Sequence, residues 1–172
     1  MLASALTYSS LTPSLKFHPA TNIPYVGYRD DDWNCDGFGA NVFSYDEDGA
    51  GLQQVGPTCF NTMVSANKAP DVAFEPGTNT PYAAFNENGA TVMKLNAGTW
   101  EYVGSPAFSS GEAGNISFAF NPVSAEPYIA FVDNSSGRIN VMSYSEFNIS
   151  PLASNITCSS ELNASLSCTN VN

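Results

Sequence analysis

The stretches SLKFHPATNIPYVGYRD (14–30), DVAFEPGTNTPYAAFNE (71–87) and SFAFNPVSAEPYIAFVD (117–133) decide the architecture. Each carries Phe-x-Pro, then Pro-Tyr, a small residue, an aromatic and finally an acid, at the same spacing. Internal repetition at a fixed period marks a chain built from one supersecondary unit used several times. Outward from these stretches the similarity continues. ANVFSYD from Ala40, ATVMKLN from Ala90 and INVMSYS from Ile139 correspond, as do LQQVGPTCF from Leu52 and WEYVGSPAF from Trp100. The third copy departs at this point and reads FNISPLAS from Phe147. The period is close to 48 residues, as the step from Gly56 to Gly104 shows.

Within a period the apolar runs are short, rich in Val, Phe, Tyr and Ile, and separated by Pro, Gly, Asn and Asp. That pattern predicts four strands per unit, designated a (LKFHP and its equivalents), b (PYVGY), c (NVFSY) and d (LQQVG). Pro24, Pro81 and Pro127 open strand b, where a missing N–H costs little. No apolar helical period is sustained, so no substantial helix is expected. Along strand b, Tyr25 and Gly27 point to one face and Val26 and Tyr28 to the other; both faces are apolar or small, as expected of a sheet covered on both sides. The expected fold is therefore all-β: three tandem four-stranded antiparallel blade-like units of β-propeller type, at about 5–60, 61–108 and 109–150. A Ser/Asn-rich tail follows at 151–172. The alternative is a β-sandwich whose internal similarity is accidental.

Pro81–Phe85, Ala90–Leu95 and Trp100–Ser109 are similar to the PYVAY, ATVMKY and W-x-x-VG-x-x-x-FS marks of a tandem propeller-like repeat of secreted and cell-surface proteins. The resemblance covers roughly residues 5–150. It implies the fold and an extracellular setting, and no single activity, because fold and function separate readily.

Composition narrows the partners. Of 172 residues only 12% are charged, five basic against sixteen acidic, for a net charge of −11. The basic residues Lys16, Arg29, Lys68, Lys94 and Arg138 are scattered, so neither a nucleic acid nor an anionic membrane surface finds the cationic patch it needs. No apolar run is long enough to span a bilayer. The first residues, MLASALTYSS, lack the basic and long apolar regions of a signal peptide.

The four cysteines predict two disulfides. In an up-and-down blade the b–c and d–a connections share one end of the sheet, which brings Cys35 to Cys59, while Cys158 and Cys168 are close enough in sequence to loop the tail. Free buried thiols are the alternative; zinc is disfavoured because no Cys-x-x-Cys spacing occurs. Asn-x-Ser/Thr sequons stand at Asn115, Asn134, Asn148, Asn155 and Asn163, with Asn148 compromised by the following Pro151. Asn115 is expected in a d–a connection and Asn134 in a b–c connection. The cluster Asp30, Asp31, Asp32 and Asp36, with Asn34, offers the oxygen ligands that calcium takes, though it matches no complete EF-hand loop and reads equally as a solvated acidic loop.

His18 is the only histidine, so a His-based triad or multi-His metal site within the chain is excluded, and its place in strand a predicts an exposed polar position. Carboxylates recur with the repeat, which suggests structure or multivalent binding rather than catalysis. No phosphate loop, metal motif or cofactor motif is present, and the chain is expected not to be an enzyme. Two functions remain: an extracellular structural protein whose units pack on copies of itself in a ring or filament, and, as the alternative, a glycan-binding propeller using Tyr28-Asp30, Phe85-Glu87 and Phe131-Asp133. Against the alternative, Tyr28, Phe85 and Phe131 alternate with Tyr25, Gly27 and their equivalents as core residues of a packed strand do. A row of three blades is expected to leave apolar end faces around Tyr25, Val26 and Tyr28, and around Tyr128, Ile129 and Phe131.

Overall fold

The computed structural model describes residues 13–30, 35, 39–46, 51–62, 69–145, 148–153, 156–159 and 167–170; of 62, 145 and the strands beyond it the backbone alone is described. The chain is all-β. Strands β1 (Ser14–Phe17), β2 (Pro24–Asp30), β3 (Gly39–Asp46) and β4 (Gly51–Gln54) form an antiparallel sheet in that order, with the short β5 (Asn61–Thr62) pairing β3. The second sheet is β6 (Asp71–Phe74), β7 (Pro81–Asn86), β8 (Ala90–Asn96) and β9 (Thr99–Tyr102). The third is β10 (Ala113–Phe120), β11 (Pro127–Asp133), β12 (Arg138–Ser145) and β13 (Asn148–Ala153). A hairpin of β14 (Ile156–Ser159) and β15 (Ser167–Asn170) follows. The sheets stack in a row and do not close into a propeller ring. β5 and the early start of β10 were not anticipated: β10 gains its extra residues by pairing Ala113 and Gly114 with Asp133 and Val132 across a bulge.

The repeat is reproduced bond by bond. Between strands a and b, His18, Glu75 and Asn121 each donate their N–H to the carbonyl of Ile23, Thr80 and Glu126, and each accepts in turn from Asn22, Asn79 and Ala125. Those acceptor turns need a left-handed residue: φ is 57° at Asn22, 58° at Asn79 and 56° at Ala125. Asparagine tolerates that region and alanine does so at a cost. After strand d, Val55 and Val103 donate to Val42 and Val92, Gly56 and Gly104 take positive φ, and the chain returns so that Phe60 and Phe108 donate to Ala40 and Ala90.

Strand alternation then packs the sheets. Val72, Ala83, Phe85, Met93 and Trp100 of the second sheet meet Ala40, Val42 and Val55 of the first. From its other face Ala73, Tyr82, Ala84 and Val92 meet Phe118, Ile129 and Phe131 of the third. Tyr25 and Gly27 face the second sheet: the Tyr25 ring meets Phe74 edge-on at 5.0 Å, and Gly27 lies so close to the Pro70 carbonyl and Val72 Cγ2 that a Cβ has no room.

This packing corrects the expected end faces. Ile129 and Phe131 are core residues turned to the second sheet, Tyr25 packs on Phe74, and Tyr28 is only 4% exposed. The residues on the outward side of β11 are Tyr128 and Ala130, which alternate with the buried pair.

A single carboxylate ties the three sheets together at their a strands. Asp71 Oδ1 accepts from the Ser14 hydroxyl at 2.7 Å and pairs with Lys16 Nζ at 3.7 Å, while Oδ2 accepts from the Phe118 N–H at 2.8 Å. β1, β6 and β10 are thereby held side by side.

Candidate functional site

The second and third sheets splay apart at their a–b turn end into a cleft of about 700 Å³. Its second-sheet wall carries Glu75, Tyr82, Lys94 and Val103, and its third-sheet wall Phe120, Glu126 and Tyr144. Tyr82 and Lys94 are cross-strand partners on β7 and β8, which sets both on the face turned to the third sheet. Phe120 crosses Tyr82 edge-on at 4.9 Å and closes the inner end. Glu75 and Glu126 come from the two a–b turns. The Thr78 hydroxyl donates to Glu75 at 2.5 Å, and the Tyr128 hydroxyl donates to Glu126 at 3.1 Å, so both carboxylates are oriented before any ligand arrives.

Burial, then the charge of Glu75 and its hydrogen bond to the phenol, push the Tyr82 hydroxyl up to about 12. It stays protonated throughout the neutral range. Lys94 forms no ion pair among the described residues. The cleft thus holds Lys94 and Glu75 on one wall and Glu126 on the other, with Lys94 paired to neither carboxylate.

The aromatics of the glycan-binding alternative are buried, as their alternation along strand b predicts. Tyr28, Phe85 and Phe131 are core, at 4%, 1% and 4% exposure, so none offers a ring face to a sugar. Their acids are structural. Glu87 accepts from the Tyr102 hydroxyl at 3.2 Å, and Asp133 holds the β11–β12 turn through Ser135 and Ser136, which lowers its pKa below the usual carboxylate value. Asp30 is buried beside Cys35 and Cys59, whose sulfurs are joined in a disulfide and offer no thiolate ligand. Asp31, Asp32 and Asp36 lie outside the described residues, as do Asn155 and Asn163.

Cys35 and Cys59 are bonded as the shared blade end predicts. Cys158 and Cys168 stand directly opposite in the β14–β15 register. Asn115 and Asn134 are exposed; Asn134 follows β11 as expected, but Asn115 sits inside β10 at its bulge rather than in a connection. Asn148 opens β13. His18 is half-buried rather than exposed, its ring lying 5.8 Å from Tyr25 and 5.1 Å from Phe74. The repeated Phe-x-Pro and Pro-Tyr marks were legible, but a ring at position 18 filling the space between Tyr25 and Phe74 was not.

No family model and no curated protein matches the chain. Among the described residues no helix is long and apolar enough to cross a membrane, and the internal disulfide fits an extracellular protein.

Proposed function

We propose that this protein is a non-catalytic extracellular structural module that assembles with copies of itself by continuing its own stack of sheets. The observation that carries the reading is a ring pair used twice and left over once. Tyr25 of the first sheet meets Phe74 of the second at 5.0 Å, and Tyr82 of the second meets Phe120 of the third at 4.9 Å, both edge-on. The next members of the series are Tyr128, on the outward side of the third sheet, and Phe17, on the first sheet and 61% exposed. Neither ring has an aromatic partner among the described residues.

The positions beside them follow the same rule. Gly27 rests on Val72, and Ala84 shares a core with Phe118; Ala130 and Leu15 are the unmatched members, and Leu15 is 56% exposed. Third sheet on first sheet is a heterologous contact, so it produces a ring if the rotation closes and a filament if it does not. Tyr28 is already buried within the chain, which confines the contact on the first sheet to its inner part, Leu15 and Phe17. The tandem-repeat resemblance, the neutral polar surface and the sequons support the extracellular assignment. A net charge of −11 opposes association, and salt is therefore expected to strengthen it by screening.

Light scattering of the purified chain across micromolar concentrations tests the reading. Assembly predicts a mass above that of one chain which falls to monomer in Phe17→Glu, with the thermal midpoint retained because Phe17 is exposed. A monomer under all conditions removes the proposal.

A further inference from the structure

We infer that the cleft between the second and third sheets binds a neutral carbohydrate, stacked on Tyr144 and hydrogen-bonded by Glu75, Glu126 and Lys94. This does not rest on the assembly reading: Glu75, Lys94 and Tyr144 lie between the second and third sheets, and Glu126 alone touches the outward Tyr128, whose hydroxyl donates to it. The volume, about 700 Å³, falls within the range of small-molecule sites.

Three features select the ligand class. The first is charge. A cationic ligand would face Lys94, and an acidic one would face Glu75 and Glu126; a polyhydroxylated neutral ligand meets no like charge. The second is hydrogen-bonding capacity. Glu75 and Glu126 only accept and Lys94 only donates, and Lys94 has no carboxylate partner among the described residues. Hydroxyls both donate and accept, so one sugar ring can serve both kinds of group. The third is shape. Tyr144 continues the side of β12 that carries Met142 toward the second sheet, and its half-buried ring gives the cleft an apolar wall with polar groups at the edges. A pyranose has the matching form: an apolar ring face bordered by hydroxyls.

The equivalent place between the first and second sheets underlines that the site is particular to one interface. There Glu75 is replaced by His18, Glu126 by Thr80, Lys94 by Ser44 and Tyr144 by Leu95. The His18 ring packs into that space, against Tyr25 and Phe74.

Titration calorimetry of the full chain with maltose, cellobiose, lactose and mannobiose tests the inference, with glucosamine, glucuronate and glycine as charged controls. At least one neutral disaccharide is expected to bind. Lys94→Ala and Tyr144→Ala are each expected to weaken that binding at least tenfold without moving the thermal midpoint. Should Tyr144→Ala fail to fold, Lys94→Ala decides alone. Absence of binding by all four disaccharides, binding that survives Lys94→Ala, or binding of only the charged controls would overturn the inference.

Discussion

The two interfaces between sheets are built on one plan and finished differently. Between the first and second sheets, Trp100 is 5% exposed, stacks on Phe60 at 4.5 Å and donates its indole N–H to the Val55 carbonyl at 3.1 Å. A Cβ on Gly56 would lie 2.6 Å from that indole nitrogen, and φ there is +73°, so both the space and the backbone demand glycine. His18 completes the filling. Between the second and third sheets the same backbone frame holds Glu75, Lys94 and Tyr144, and a cleft remains. Identical strand pairing thus fixes where sheets meet, while a few substitutions at the a–b turn and on strand c decide whether the meeting is a core or a site.

The largest effect is expected from emptying the filled interface. Trp100→Ala removes a buried indole from a close-packed cluster and should cost about 3–5 kcal/mol, read from denaturant unfolding. A loss below about 1 kcal/mol would mean that the first two sheets are not held by this plug.

Asp71→Ala acts on both interfaces at once, because its carboxylate serves Ser14 and Lys16 on one side and the Phe118 N–H on the other. Hydrogen bonds to a charged group contribute about 1.5–3 kcal/mol, and the expected loss is of that size. If the loss equals that of Ser14→Ala alone, the link to the third sheet carries no stability.

The smallest effect is specific to the open interface and appears only in alkali. Tyr82 titrates near 10 when unfolded and about 12 when folded, because burial and then Glu75 oppose the phenolate. The folded state therefore retains the proton longer, and its stability is complete below pH 10 and falls as the pH rises from about 10 toward 12. Tyr82→Phe should flatten that part of the stability profile. A profile unchanged by the substitution would show that the Tyr82 phenol is not shielded in the cleft.

How far the sequence carried this account follows from which interactions are local. Phe-x-Pro and Pro-Tyr are separated by one turn, so strands a and b and their pairing were legible from spacing alone; the burial of strand b on both faces holds for β7 of the middle sheet, whereas Leu15 and Phe17 of β1 are exposed. The meeting of Cys35 with Cys59 followed from strand reversal. Alternation along strand b already marked Tyr28, Phe85 and Phe131 as packed residues, and all three are core: Phe85 and Phe131 face a neighbouring sheet, while Tyr28 is buried on the far side of the first sheet, 5.2 Å from the Phe43 ring. Glu75, Tyr82, Lys94, Glu126 and Tyr144 were not grouped, since they meet only when two units some 48 residues apart are docked. One signal was available: Lys94 stands where the other copies have Ser44 and Ser143, which makes it a charge that the repeat does not require.

Disulfide trapping between differently marked chains tests the continued stack most directly. Chains carrying Phe17→Cys and chains carrying Tyr128→Cys are mixed and oxidised, and the products are separated by mass under non-reducing conditions. The account predicts a mixed dimer linked from position 17 to position 128, formed in the mixture in preference to any product of either chain alone. Dimers linked 128 to 128 with no mixed product would establish a symmetric contact instead, and uncrosslinked chains throughout would contradict assembly through these faces.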